Sequence, residues 1–446
     1  MSQKGLSFGR VMPIFALTFV DVLGLTIILP LLHLYAAAFG ATPLQIGLAA
    51  AAFPLAQIIG VPVMGALSDR YGRKPLLLVS QVSTCISFIM LAGATSLEMV
   101  ILSRLVDGVF GANLATAQAA ITDITDERTR AQGLGMTGAA FGLGFLFGPA
   151  IALFALEFSD SLATPALIAA IYSFISILFT LFVFTETLPP NKRRSGALNL
   201  SNTLFSSLHI LRRAQIRPLM LLMFGQQMVF YGFESLLGLF TLTRLGLLGQ
   251  GNALIFIYVG FILVYAQARL IGKWSRKYGE RWLALTAMGM LAIGLLMFAV
   301  TPEQPHPLYV EWRAEESLRD LQPSSAEAII GDIALSLPDD SARGFGGLLW
   351  VLAALVPLGI GAGLIRPALN SLMVKQVNTD ERGALLGVSA SVVSLADAVA
   401  PLLGGLIFQM YGASAPFAVG GVVMAGLLLV GMLALRRETV AVSQAS

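Results

Sequence analysis

The chain has 446 residues, of which 56% are hydrophobic and only 12% charged, against about a quarter charged in an ordinary soluble domain. A mean hydropathy of +0.80 over that length excludes a soluble globular enzyme and a disordered chain. A lone cysteine, Cys85, excludes an internal disulfide, and three scattered histidines, His33, His209 and His306, exclude a histidine-based metal site.

After the polar stretch Met1 to Arg10, the first apolar run is too long for a cleaved signal peptide and reads as a membrane span. A spanning helix needs about 20 apolar residues. Breaking the chain at its polar and turn-rich points gives twelve such segments: 11–33, 44–67, 75–94, 98–121, 133–156, 164–185, 218–242, 252–272, 282–300, 347–372, 384–409 and 413–435. They lack the alternation of strands, and without water the backbone must satisfy its own hydrogen bonds, so they are helices. The predicted fold class is an all-α polytopic membrane protein with 12 transmembrane helices.

Of the 28 basic residues, 21 fall in the N-terminus, the even-numbered connections or the C-terminus. Four, Arg244, Arg313, Arg319 and Arg343, fall on the other side, and Arg104, Arg269 and Arg366 lie within spans. This bias puts both termini in the cytoplasm. A net charge of +3 and a pI near 9.0 then reflect basic loops facing a negative leaflet, not affinity for nucleic acid.

The longest connection on the basic side, 186–217, separates an N-terminal bundle over 1–185 from a C-terminal bundle over 218–446. Its segment 201–214 has the make-up of an amphipathic helix on the inner leaflet. The halves repeat weakly. Gly65-Ala-Leu-Ser-Asp-Arg-Tyr-Gly-Arg-Lys74 matches Gly272-Lys-Trp-Ser-Arg-Lys-Tyr-Gly-Glu-Arg281 at an offset of 207, and Thr125-Asp-Glu-Arg128 matches Thr379-Asp-Glu-Arg382 at 254. The difference of 47 is explained by one insertion, since about 46 residues at 301–346 stand where the first half has only a few near Thr95 to Leu97, and this insertion carries nine acids against three arginines. Ser324-Ser-Ala-Glu327 within it reads as a capping box opening a short helix. Parallel repeats of this kind place a substrate site between the halves and open it alternately to each side.

Gly65 suits a close helix approach and Gly72 a tight turn. Asp69, an acid among Arg70, Arg73 and Lys74, suits a helix N-terminus or a pairing with Arg128 that latches the cytoplasmic face. Gly65, Leu67, Asp69, Arg70, Gly72, Arg73 and Lys74 together match G-x-L-x-D-R-x-G-R-K, and on these residues the chain resembles the major facilitator superfamily. The resemblance covers the whole chain in span count, repeat and loop position, and implies two six-helix bundles. Gly138, Gly142, Gly148 and Pro149 in the fifth span look like the antiporter motif of that superfamily, with plain helix packing as the alternative. Arg104 and Gly108 are similar to the R-x-x-x-G motif of drug:proton antiporters. Asp21 followed by Pro30 resembles the tetracycline-efflux-like branch. Spans eight and nine lack that branch's histidine and acid, so the resemblance does not extend to tetracycline itself.

What it implies is proton-coupled efflux of small lipophilic compounds across the cell's inner membrane, as in multidrug and antibiotic resistance. The rival readings are a facilitator or symporter of a sugar or organic anion, and a sensor that transports nothing.

Charges at mid-membrane cost about 2.5–3.5 kcal/mol each on insertion scales, so such residues are functional candidates. Four acids qualify: Asp21, Asp107, Glu234 and Asp397. Asp107 lies one turn from Arg104 and pairs with it. Asp21, modulated by Arg104, is the expected proton carrier, with Glu234 and Asp397 as the second-half carboxylates and Arg366 as a counter-charge. Gln57, Asn113, Gln226, Gln227, Tyr231 and Asn370 are the expected polar cavity wall. Gln227, Tyr231 and Glu234 recur at i, i+4 and i+7, on one face of span seven. No phosphate-binding G-K-S/T loop and no nucleophile–base arrangement is present, so neither ATP drive nor an enzyme is expected. No cofactor or metal is called for. The implied partners are a small-molecule substrate, protons and membrane lipids, with the chain acting as a monomer.

Overall fold

The computed structural model describes residues 8–111, 113–125, 130–159, 161–193, 213–320, 337–377 and 382–444. Residues 201–212 of the expected amphipathic segment 201–214, the capping box at 324–327 and Arg128 lie outside them.

The described residues form helices α1 (Phe8–Ile28), α2 (Leu32–Ala37), α3 (Pro43–Tyr71), α4 (Arg73–Ala92), α5 (Leu97–Phe110), α6 (Asn113–Ile124), α7 (Arg130–Phe158) and α8 (Ala163–Phe182) in the first half. The second half holds α9 (Ile216–Leu245), α10 (Gly249–Tyr265), α11 (Ile271–Ala299), α12 (Glu311–Asp320), α13 (Gly346–Val374), α14 (Arg382–Tyr411) and α15 (Ala415–Gln444). Two spans are broken helices. The first runs through α1 and α2 across a 3-10 turn at Leu29–Leu31, where Pro30 has no N–H to give. The fourth runs through α5 and α6 and breaks after Phe110.

Ten stretches of the described residues are long and apolar enough to cross a membrane. One of them, Gly249–Ala299, is two spans divided by the left-handed Gly279. The twelfth span is α9, whose hydropathy is lowered by its own polar stripe, Gln226, Gln227, Tyr231 and Glu234. The chain is therefore a polytopic all-α protein of twelve spans in two bundles of six.

Among the described residues, five glycines have positive φ, and all sit at turns between spans. Gly40, Gly246 and Gly412 mark one face of the bundle, Gly72 and Gly279 the opposite face. Gly72 (φ +109°) and Gly279 (φ +82°) occupy equivalent repeat positions, in a backbone region that other residues rarely adopt.

The halves meet where α3 packs along α14 and α7 along α10. Toward the Gly40 face the fit is close. A Cβ on Gly405 would lie 3.2 Å from Leu44 Cα, and one on Gly249 would lie 3.3 Å from the tips of Leu31 and Leu34. Leu44 N donates to Gln409 Oε1 (3.3 Å), and Asn252 Nδ2 meets His33 Nε2 at 3.0 Å across the boundary. Mid-way, a Cβ on Gly260 would lie 2.7 Å from Phe145 O. Nearer the Gly72 face the fit loosens: Gly142 leaves 3.5 Å to Val264. Gly65 has open space around it, so it makes no close helix approach here. That role falls to Gly60 and Gly108, whose helices α3 and α5 touch backbone to backbone. The halves thus fit most tightly at the Gly40 face and less tightly at Gly142, nearer the Gly72 face.

The insertion contributes α12 and docks on the turn between α9 and α10. Tyr309 is buried against Gly246, His306 N donates to Leu245 O (3.1 Å), and Glu303 lies 3.5 Å from Arg244.

Candidate functional site

Pairing separates the intramembrane charges. Arg104 on α5 is 3% exposed. Its Nη1 lies 3.6 Å from Asp107 Oδ2, its Nη2 donates to Ser87 Oγ (2.8 Å), and its guanidinium stands 5.5 Å from the Phe88 ring centre. Asp107 Oδ1 accepts from Thr84 Oγ1 (2.7 Å). The expected Arg104–Asp107 pair is therefore formed, and both members are enclosed.

Asp21 on α1 is placed differently. Its Oδ1 accepts from Ser176 Oγ on α8 (2.8 Å), and Gln81 Nε2 on α4 donates to that hydroxyl (2.8 Å). Its Oδ2 is buried without a hydrogen-bond partner. Asp107 acts on it electrostatically. No direct contact joins Asp21 to Arg104 in the described bonds; Asp107 stands as the link.

In the second half, the polar face of α9 looks onto α14. Gln227 Nε2 donates to Asp397 Oδ1 (2.7 Å). Glu234 and Tyr231, further along the same face, lie within electrostatic range of Asp397. Arg366 on α13 also feels Asp397, yet forms no ion pair with any described residue. Arg366 is solvent-exposed, whereas Gln227 is buried and Tyr231, Glu234 and Asp397 are half-buried. Arg104 is near enough to act on Tyr231, so the two halves share one electrostatic field.

The other expected wall residues divide. Gln57 donates to Gly111 O (2.9 Å), a carbonyl freed where α5 stops, so its amide mends the helix break. Gln226 is buried against Met223 S (3.5 Å) and Gln227 Oε1 (3.4 Å). Asn113 and Asn370 are half-buried, and each has a buried Oδ1 with no partner. Glycines of the fifth span serve close packing, since Gly144 meets Val22 and Gly148 meets Thr26 on α1, while Gly142 has ordinary contact with Val264 on α10 and Gln267 just beyond it. Pro149 lies inside α7, one residue beyond Gly148. Gly138 lies on the same helix.

At the Gly72 face, Arg73 is the hub. It binds Asp69 (2.7 Å), Asp123 (2.9 Å) and Ser68 (3.0 Å). Arg73 N and Lys74 N donate to the Glu186 carboxylate (2.9 and 3.2 Å). Asp69 therefore does not cap a helix; Glu186 caps α4, because its carboxylate can reach both free N–H groups at the turn. Lys74 Nζ reaches Leu181 O (2.9 Å), and Arg70 covers the Tyr71 ring. Glu186, Asp123 and Ser176 are missing from the sequence-based expectations. They are single residues at span ends or mid-span, with no spacing that announces a partner more than fifty positions away. In the second half Glu280 takes the repeat position of Arg73 and binds Lys375 and Ser371.

Twelve spans in two halves, closed at one face around a polar interior, define a membrane transporter and not an enzyme. A family model for the Major Facilitator Superfamily matches residues 14–312 and 333–445, and the chain belongs to that superfamily. It is 27% identical over 396 residues to the tetracycline resistance protein, class B, of Escherichia coli, covering 88% of this chain and 87% of that one. It is 25% identical over 393 residues to the mouse (Mus musculus) major facilitator superfamily domain-containing protein 10, covering 84% and 75%. Among solved structures, the human organic anion transporter MFSD10 (TETRAN) superposes with a TM-score of 0.66 at 22% identity, over 95% of this chain and 99% of that one. The xylose transporter XylE from E. coli, in a partially occluded inward open conformation, gives 0.67 at 14%, over 95% and 96%. These two likenesses bear on the fold alone.

Proposed function

We propose that the protein is a proton-coupled exporter that exchanges inward-moving protons for outward-moving small lipophilic compounds, cationic or zwitterionic. The observation that carries this reading is how the mid-membrane carboxylates are held. Asp21 and Asp397 each accept a hydrogen bond from a neutral donor, Ser176 and Gln227, and of the four mid-membrane acids Asp107 alone is tied to a cation among the described residues. A carboxyl held by a neutral donor accepts a proton without breaking an ion pair. A proton coupler needs that freedom, because it must load on one side of the membrane and unload on the other. Similarity to tetracycline resistance proteins over most of the chain supports efflux as the direction.

The basic residues orient the molecule. Arg70, Arg73, Lys74, Lys273, Arg276 and Lys277 cluster at the Gly72 face, which makes that face cytoplasmic, with both termini there. The tighter fit at the opposite, Gly40 face supports an inward-facing state of an inner-membrane monomer. In this account 1–185 and 218–446 rock about the α3–α14 and α7–α10 seams, with 186–217 as the connecting strap. Asp21 carries the proton, linked through Asp107 to Arg104. Glu234 and Asp397 receive the substrate's polar group or a second proton, beside Gln227, Tyr231 and Asn370. The Asp69–Arg73–Asp123 cluster latches the cytoplasmic face.

Everted membrane vesicles test the coupling. Adding a transported dye to energised vesicles must release protons from the lumen, and an uncoupler must stop dye accumulation. Dye movement that is indifferent to the uncoupler overturns the proposal.

A further inference from the structure

The two arginines buried in the sequence of hydrophobic spans are used in opposite ways. Arg104 is spent on Asp107, Ser87 and the Phe88 face. Arg366 has accessible surface, although it sits within α13 and feels Asp397. Its natural counter-ion is engaged elsewhere, since Asp397 Oδ1 takes its hydrogen bond from Gln227. One turn further along α13, Asn370 carries a buried amide oxygen with no partner. Residues four apart on a helix share a face. That face therefore presents a planar five-donor cation and an unsatisfied amide side by side.

A guanidinium kept in a protein interior without an ion pair is costly, and its fork geometry matches a carboxylate bidentately. We propose that Arg366, assisted by the Asn370 amide, is a specificity-determining residue that binds an anionic carboxylate group of the transported compound. This rests on reading the interior as the transport path and narrows its cargo. The compound is a lipophilic carboxylate or a zwitterion, its cationic end turned toward Glu234 and Asp397, and not a simple lipophilic cation. Asn370 supplies an N–H to the second carboxylate oxygen once its amide turns, which also relieves the orphaned oxygen.

Three forms of one fluoroquinolone test this on purified full-length protein by calorimetry: norfloxacin, its methyl ester, and N-acetyl-norfloxacin. The ester lacks only the anionic charge and the acetyl derivative only the cationic one. The wild type is expected to bind both acids about tenfold or more tighter than the ester, the usual scale of one charge-assisted bidentate contact. Arg366→Gln is expected to level norfloxacin with its methyl ester, while Arg366→Lys keeps part of the acid preference and reports on folding. Equal binding of acid and ester by the wild type overturns the proposal. So does an acid preference that survives in a folded Arg366→Gln variant, and so does failure of the folded wild type to bind any of the three. Uncoupler-sensitive efflux of the ester without acid preference removes this inference and leaves antiport standing. Acid-selective binding with no proton movement does the reverse.

Discussion

Hydrogen-bond partners divide the intramembrane acids into one that is neutralised and three that are not. Asp107 and Arg104 form an enclosed pair, and removing one member strands the other. Asp107→Asn is expected to cost about 3–5 kcal/mol, read as a lower thermal midpoint in detergent, while an apolar replacement of both residues costs less. Asp21 has one oxygen held by Ser176 and the other without a partner. Asp21→Asn keeps the size and the Ser176 contact but cannot load a proton. It is expected to abolish proton-driven efflux while energy-independent exchange of labelled substrate continues. Full proton-driven efflux in that variant would remove Asp21 from the coupling role. Sequence identified these acids through the rarity of charge in apolar spans. It set Asp107 apart by its spacing from Arg104, but it could not give the donors that hold the others, because Ser176 lies 155 positions from Asp21 and Gln227 lies 170 from Asp397.

Helix ends and helix seams carry the next level. The α4 N-terminus starts at the left-handed Gly72, and its free N–H groups go to Glu186. Glu186→Ala removes that cap and is expected to cost about 0.5–2 kcal/mol, measured as faster hydrogen exchange in the first turn of α4. The repeat reverses the charge at this hub, with Arg73 in one half and Glu280 in the other, each bound inside its own half. A motif shared in backbone geometry need not share its ionic partners. The docked insertion offers a pH test. Burial pushes the His306 imidazole below its ordinary value of 6.5. Docking is therefore stable while His306 is neutral and weakens as pH falls below about 6.5, since the undocked histidine takes the proton more readily. The protection of the 301–312 amides, measured against the intrinsic exchange rate at each pH, is expected to fall from pH 7.5 to pH 5.

At the scale of the whole molecule, the closed face is a seam of small residues and a few polar bridges. Asn252 Nδ2 faces both His33 Nε2 (3.0 Å) and Gly238 O (3.4 Å), and Thr241 Oγ1 meets the Asn252 amide oxygen. His33 is the only side chain of α2 in this bridge, and it crosses between the halves. His33→Ala leaves a buried donor unpaired, at about 1–3 kcal/mol. Because that penalty falls on the state closed at the Gly40 face, the population should shift toward opening there. Spin labels on either side of that face should report a longer distance. Gly405→Val is expected to act in the same direction and more strongly, because its side chain would meet the Pro43–Leu44 backbone.

The amino-acid sequence by itself determined the twelve spans, their helical nature, the turns at Gly72 and Gly279 and the uneven placement of cations. Each follows from local chemistry, namely apolar length, the backbone's need for internal hydrogen bonds and the freedom of glycine. Only the tertiary structure decided that Arg366 has no ion pair among the described residues, that Gly60 and not Gly65 brings helices together, that Glu186 caps α4, and that the Gly40 face is shut. These depend on which helix faces which across distant parts of the chain. They also depend on a balance of a few kcal/mol between two packings that one sequence can adopt, and such a balance leaves no local pattern to read.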